Sequence, residues 1–125
     1  MTKYKSQSIR NTFRNARKGM RISLKSERNI RIHLFASVLS LIMAFCLHFS
    51  VEKFCILLIV ISAVISAEMF NSAIEFALDS IYHNKYSKMV GMAKDIAAGA
   101  VMVVTIMAVL VGVLLFVPPF LSMII

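Results

Sequence analysis

Three long apolar stretches separated by short polar ones dominate this chain. The first runs from Ile32 to Phe49 and is broken only by His33 and His48; the second begins at Phe54 and meets no charge until Glu68; the third runs from Ile96 to the end without a charged residue. Each approaches or exceeds the roughly 18–20 residues that span a bilayer. In lipid such segments must be helical, because every backbone polar group needs a partner within the segment. Ahead of them Ile9, Phe13, Ala16, Met20 and Leu24 recur at spacings of three and four, with Arg10, Arg14, Arg17, Lys18, Arg21 and Lys25 between. That is the pattern of an amphipathic helix lying in the membrane interface, a soluble helix packed on protein being the competing reading. The pattern predicts an all-α integral membrane protein of one domain over residues 1–125. It has an interfacial surface helix at 8–25 and transmembrane helices at 30–49, 53–81 and 91–117.

The polar stretches set topology. Ser26-Glu27-Arg28-Asn29 forms a hinge into the first span, His48 to Lys53 a very short outer connection, and Tyr82 to Met89 a polar loop. Ten of the 14 basic residues precede the first span, Lys85, Lys88 and Lys94 belong to the second connection, and Lys53 alone lies in the first. The positive-inside rule therefore puts the N-terminus and the second connection in the cytoplasm and the C-terminus outside. The basic, polar first 31 residues do not read as a cleavable signal peptide.

Composition narrows the class. With 59% apolar and 16% charged residues, and no polar face between Val101 and Phe116, a soluble bundle is excluded. The net charge of +8 belongs to membrane-adjacent segments, so it favours anionic headgroups and phosphates over nucleic acid. Cys46 and Cys55 lack metal-ligand spacing and read as apolar fillers. Small residues, Ser62, Ala63, Ser66 and Ala67 on the second span and Gly91 with Ala97 to Ala100 on the third, mark faces for close helix approach.

Acids are rare here and clustered. Of six, all but Glu52 fall on one cytoplasmic-side layer: Glu27, Glu68, Glu75, Asp79 and Asp95. At about 100° per residue, Glu68, Asn71, Glu75 and Asp79 share an arc of roughly 80°. Counted from Phe54, Glu68 lies about 21 Å along its helix and Glu75 about 32 Å, against a hydrocarbon core of about 30 Å. Carboxylates at that depth are costly and usually have a role. The chemistry that fits is phosphoryl transfer to a lipid alcohol. Two carboxylates can hold Mg²⁺ with substrate phosphates completing the shell, a deeper and partly desolvated one can take a hydroxyl proton, and lysines and arginines can neutralise the phosphate. The four glycines make no Walker A loop. Two other readings compete: structural ion pairs of Glu68, Glu75 and Asp79 with Lys94 and the N-terminal arginines, and a proton or cation path in a non-enzymatic oligomer.

The run Glu-x-x-Asn-Ser-Ala-Ile-Glu-x-x-x-Asp from Glu68 to Asp79, followed by Ala-Lys-Asp-x-Ala-Ala-Gly-Ala-Val from Ala93 to Val101, resembles the prokaryotic diacylglycerol kinase family. Glu27-Arg28-Asn29 with His33, and Gly112 to Pro118, resemble its Gram-positive branch, known chiefly as undecaprenol kinase. The resemblance extends from Arg10 to Pro118. It implies a bacterial plasma-membrane lipid kinase, a homotrimer with active sites shared between subunits, using Mg²⁺ and ATP. The expected acceptor is undecaprenol, with diacylglycerol as the alternative. By motif position Glu68 is the implied catalytic base, Asn71 orients the site, and Glu27 and Glu75 are the Mg²⁺ ligands. Arg10, Lys18, Gly19, Glu27, Glu75, His83, Lys85, Lys94 and Asp95 are the implied nucleotide contacts, with Glu68 and Ala98 toward the lipid. Two positions depart from the family pattern. The nucleotide-contacting arginine falls on Ser8, with Arg10 the nearest substitute, and an aromatic of the surface helix falls on Asn15, leaving Phe13, Tyr82 and Tyr86 as alternatives. His33 reads as an interfacial polar residue, and Asp79 either as part of the site or as a cap.

Overall fold

A computed structural model describes residues 8–83, 85 and 87–125. Lys3 and Lys5, together with Asn84 and the stacking candidate Tyr86, lie outside the described residues. The described chain is helical: α1 is Ile9–Ser26, α2 Arg28–Cys46, α3 Val51–Tyr82 and α4 Lys88–Ile124. Of these, α2, α3 and α4 are long and apolar enough to cross a membrane.

Local chemistry sets the boundaries. Ser8, where the family places an arginine, caps α1: its hydroxyl accepts from the Asn11 amide at 3.3 Å. A single residue, Glu27, separates α1 from α2, in an extended conformation (φ −114°, ψ 113°) that breaks the helix. Arg31 holds that break by donating from Nη1 to the carbonyls of Leu24 at 2.8 Å and Lys25 at 3.0 Å. Those carbonyls end α1 and have no helical partner of their own. α2 stops at Cys46, and His48 turns the chain at φ 56°. The Phe49 amide then reaches back to the Ala44 carbonyl at 3.1 Å, and Ser50 caps α3. α4 continues through Pro118 and Pro119. Two amides are forfeited there, but the last turn still closes, with the Ile125 amide 3.0 Å from the Leu121 carbonyl.

α3 packs most extensively on α4 and next on α2, while α1 leans on α2 and touches α3. At one end an apolar plug of Ala44, Phe49, Leu57 and Leu115 joins the three long helices. The Phe49 ring lies 4.9 Å from that of Phe116 and 6.0 Å from that of Phe54. The buried face of α3 is Leu57, Val64, Glu68 and Ser72, so the acidic stripe continues the face turned toward the other helices. Ser62, Ala63 and Ser66, expected to support close approach, are exposed on the protomer. The physical reason is that the partners able to compensate a carboxylate, His33 and Lys94, stand on α2 and α4, and they draw the stripe inward.

Much apolar surface has no partner among the described residues: Phe35, Phe45, Phe70 and Leu114 are all more than two-thirds exposed. That surface exceeds what a soluble monomer tolerates. α1 buries none of its residues, and its apolar Ile9, Phe13 and Met20 lie open.

Candidate active site

Opposite the apolar plug, the end of α3 meets the starts of α2 and α4. Glu68 is 5% exposed, the most buried ionisable side chain described. Its Oε1 lies 3.2 Å from His33 Nε2 on α2. A buried carboxylate needs such a partner, since its desolvation is otherwise uncompensated. His33, read from the sequence as an interfacial polar residue, is instead the group that contacts the implied base. The available signal was its place one turn into the first span, level with Glu68 on the antiparallel neighbour.

One turn on, Asn71 Oδ1 is buried with no hydrogen-bond partner among the described residues. An orphaned buried acceptor costs about 1–3 kcal/mol, so this oxygen is open to a donor or a cation. Glu75 follows on the same stripe, half-buried. Two turns above Asn71, Asp79 Oδ1 accepts from Lys94 Nζ at 2.6 Å. This contact ties α3 to α4 and is one of the ion pairs that the structural reading anticipated. The C-cap of α3 is His83, whose amide donates to the Asp79 backbone carbonyl, while the Asp79 side chain is engaged by Lys94.

Lys94 and Asp79 share a cleft of about 360 Å³ with Asp95, Lys85 and Gly91. Three of the expected nucleotide contacts, Lys85, Lys94 and Asp95, are thereby brought together. His83 stands beside it in a left-handed conformation (φ 51°), and the Lys85 amide bonds to the Tyr82 carbonyl at 2.9 Å, turning the chain into this cleft. Arg10 is elsewhere, in a groove on α1 with Phe13, Arg14 and Arg17. Lys18 is exposed on α1, and a Cβ at Gly19 would meet nothing within 4 Å, so packing within the protomer does not demand that glycine. Ala98 is exposed on α4, one turn beyond Lys94.

Below Glu68 a cavity of about 310 Å³ runs between α2, α3 and α4. Its lining is mostly apolar (Val60, Val64, Ala108 and Val109 among others), with Phe116 toward the plug and His33 at the acidic end. Two of its hydroxyls bond back to their own helix, Ser37 to the His33 carbonyl and Ser40 to that of Ala36.

Among the described residues no three His, Cys, Asp or Glu side chains converge as a metal cage. Mg²⁺ does not ask for one: it takes one or two carboxylates and fills its shell with water and substrate phosphate. Glu75 and the orphaned Asn71 Oδ1 are hard oxygens on one helix face and fit that requirement, with Glu27 as a further carboxylate at the α1–α2 break.

The structure thus sets a buried carboxylate against a histidine, a lysine-bearing cleft and an apolar cavity among three membrane-length helices. Comparison with known proteins makes this specific. Residues 14–116 match the family described as Prokaryotic diacylglycerol kinase. The chain is 36% identical over 112 residues to the diacylglycerol kinase of Synechocystis sp. (strain ATCC 27184 / PCC 6803 / Kazusa), covering 90% of this chain and 64% of that relative. It is 34% identical over 107 residues to the undecaprenol kinase of Bacillus subtilis (strain 168), covering 86% of each. The chain belongs to the prokaryotic diacylglycerol kinase family, a family of lipid kinases.

Proposed function

We propose that this protein transfers the γ-phosphoryl group of ATP to a membrane lipid alcohol, with undecaprenol as acceptor and undecaprenyl phosphate as product. The observation that carries the reading is the position of Glu68. It is a carboxylate buried in the helix bundle, 3.2 Å from His33, and His33 lines an apolar cavity between the three long helices. The cleft holding Lys85, Lys94 and Asp95 lies at the same end of the bundle. The undecaprenol assignment is supported by the relative that matches this chain over most of both lengths and by the motifs of the Gram-positive branch. Diacylglycerol, giving phosphatidic acid, is the second reading, supported by the name of the other relative.

In this mechanism Glu68 takes the proton of the lipid hydroxyl. The hydroxyl oxygen forms its bond to the γ-phosphorus as the bond from phosphorus to the β–γ bridging oxygen breaks, leaving ADP. Lys94 and Lys85 offset the negative charge of the phosphates, and Asp95 orients the nucleotide. Glu75, Glu27 and Asn71 would hold the Mg²⁺ that accompanies ATP and neutralises its phosphate oxygens. The N-terminus and the site face the cytoplasm, the C-terminus the outside, and α1 lies in the interface with its basic face toward headgroups. A homotrimer with shared sites is supported by the small residues Ser62, Ala63 and Ser66 left exposed on α3 and by the large unpartnered apolar surface.

The test is transfer of label from γ-labelled ATP by the purified protein in mixed micelles, with undecaprenol and diacylglycerol offered separately and in competition. Label on undecaprenol in preference is the expected result, and preference for diacylglycerol would move the assignment to phosphatidic acid formation. Glu68→Gln should abolish transfer, by about 100-fold or more, in a protein that remains folded. No label on either lipid from folded wild type would sink the kinase reading.

A further inference from the structure

His33 belongs to no established part of the chemistry, yet three observations converge on it. Its Nε2 stands 3.2 Å from Oε1 of Glu68. Among the described residues it is the only ionisable side chain lining the apolar cavity. It stands on a helix packed against α3, and Ser37 Oγ donates to its backbone carbonyl at 2.6 Å.

We propose that His33 is the positioning residue for the base: its Nε2–H donates to Oε1 and fixes the carboxylate plane, leaving Oε2 to receive the proton of a hydroxyl arriving from the cavity. The inference rests on the reading of Glu68 as the base. The chemistry follows from the geometry. A carboxylate on a long, flexible side chain has several rotamers, and losing the one that faces the hydroxyl costs about 100-fold for a displacement of about 1 Å. An imidazole suits the task, because a short, stiff side chain can hold one oxygen through a directional hydrogen bond. Because the donor is on α2 and the acceptor on α3, the alignment also depends on how these helices pack around the lipid chain between them. His33 thus links occupancy of the cavity to orientation of the base.

A merely structural histidine would satisfy the buried carboxylate and do no more, so the test must separate the two roles. His33→Leu removes the donor and His33→Gln restores an Nε2–H at similar reach. Both are assayed for transfer to saturating lipid, for KM toward ATP and toward lipid, and for thermal unfolding in the same micelles. Expected for His33→Leu is a kcat lower by about 100-fold with KM for ATP within about twofold, and for His33→Gln recovery of most of that loss. His33→Leu that keeps wild-type kcat overturns the proposal, as does His33→Gln as inactive as Leu while unfolding at the wild-type temperature. Should His33→Leu fail to fold, the decision passes to infrared spectra of protein carrying ¹³C-labelled glutamate, comparing wild type with His33→Gln and with Glu68→Gln as the blank. A Glu68 carboxylate band shifted by the exchange of donor is expected, and a band unmoved overturns the proposal. Active wild type with inactive Glu68→Gln and normal His33→Leu defeats this inference alone, whereas inactive folded wild type defeats the kinase reading beneath it.

Discussion

Lys94 occupies the most informative contact outside the Glu68–His33 pair. Its ammonium lies 2.6 Å from Asp79, and both side chains are about one-third exposed at the edge of the cleft. A lysine held this way is preset to meet a phosphate, because the carboxylate fixes its direction while its other two hydrogens stay available. Lys94→Met is therefore expected to raise KM for ATP by roughly 10–100-fold, the scale of a lost hydrogen bond to a charged group, with KM for lipid little changed. Asp79→Asn should raise KM for ATP by less, since the lysine survives and only its orientation loosens. Initial-rate measurements over both substrates check this, and the reverse ranking would make Asp79 the nucleotide contact and Lys94 its support.

Among the elements, α1 is the least anchored: it buries nothing, and it touches only α2 and, less extensively, α3. What sets its angle is the Glu27 break and the Arg31 clasp over the carbonyls of Leu24 and Lys25. A guanidinium at a helix C-terminus both satisfies orphan carbonyls and complements the helix dipole. Arg31→Ala should free this turn, speeding amide exchange between Ser23 and Arg28 by roughly tenfold while leaving α3 and α4 protected. Hydrogen-exchange mass spectrometry in detergent reads it directly. With the clasp gone, Glu27 and the basic face of α1 lose their fixed relation to the site, so KM for ATP should rise in the same variant.

Taken whole, the molecule is a splayed three-helix arrangement fastened at both ends, by the Phe49 plug at one and by Glu68–His33 and Asp79–Lys94 at the other. Between the fastenings lies the apolar cavity. Gly112 lines it, and a Cβ there would meet nothing within 4 Å. A Cβ at this position therefore displaces no neighbour, and a larger side chain built on it competes for the cavity. Gly112→Phe is expected to raise KM for the lipid acceptor by about tenfold, the value of one to two buried methylenes of lost contact, and to leave KM for ATP unchanged. Lipid-dependence assays with acceptors of short and long chain check this, and an unchanged lipid KM would remove the cavity from the acceptor's path.

The sequence by itself determined the helical class, the three membrane-length segments and the spacing of the acids along them. Those follow from one-dimensional quantities, namely apolar run length, a rise of about 1.5 Å per residue and the cost of carboxylates in lipid. The motif from Glu68 to Asp79, with its partner from Ala93 to Val101, was also enough to point to the family. What only the tertiary structure decided is which groups face one another across helices. Helix rotation about its axis is weakly specified by an all-round apolar sequence, so nothing in the pattern distinguished the packed face of α3 from the small-residue face it leaves exposed. For the same reason His33 was not matched to Glu68 until α2 was set against α3, and Asp79 with Lys94, one of several ion pairs the sequence allowed, was singled out only by the packing of α4 on α3: contacts of about 3 Å need a precision that residue spacing along separate helices does not carry.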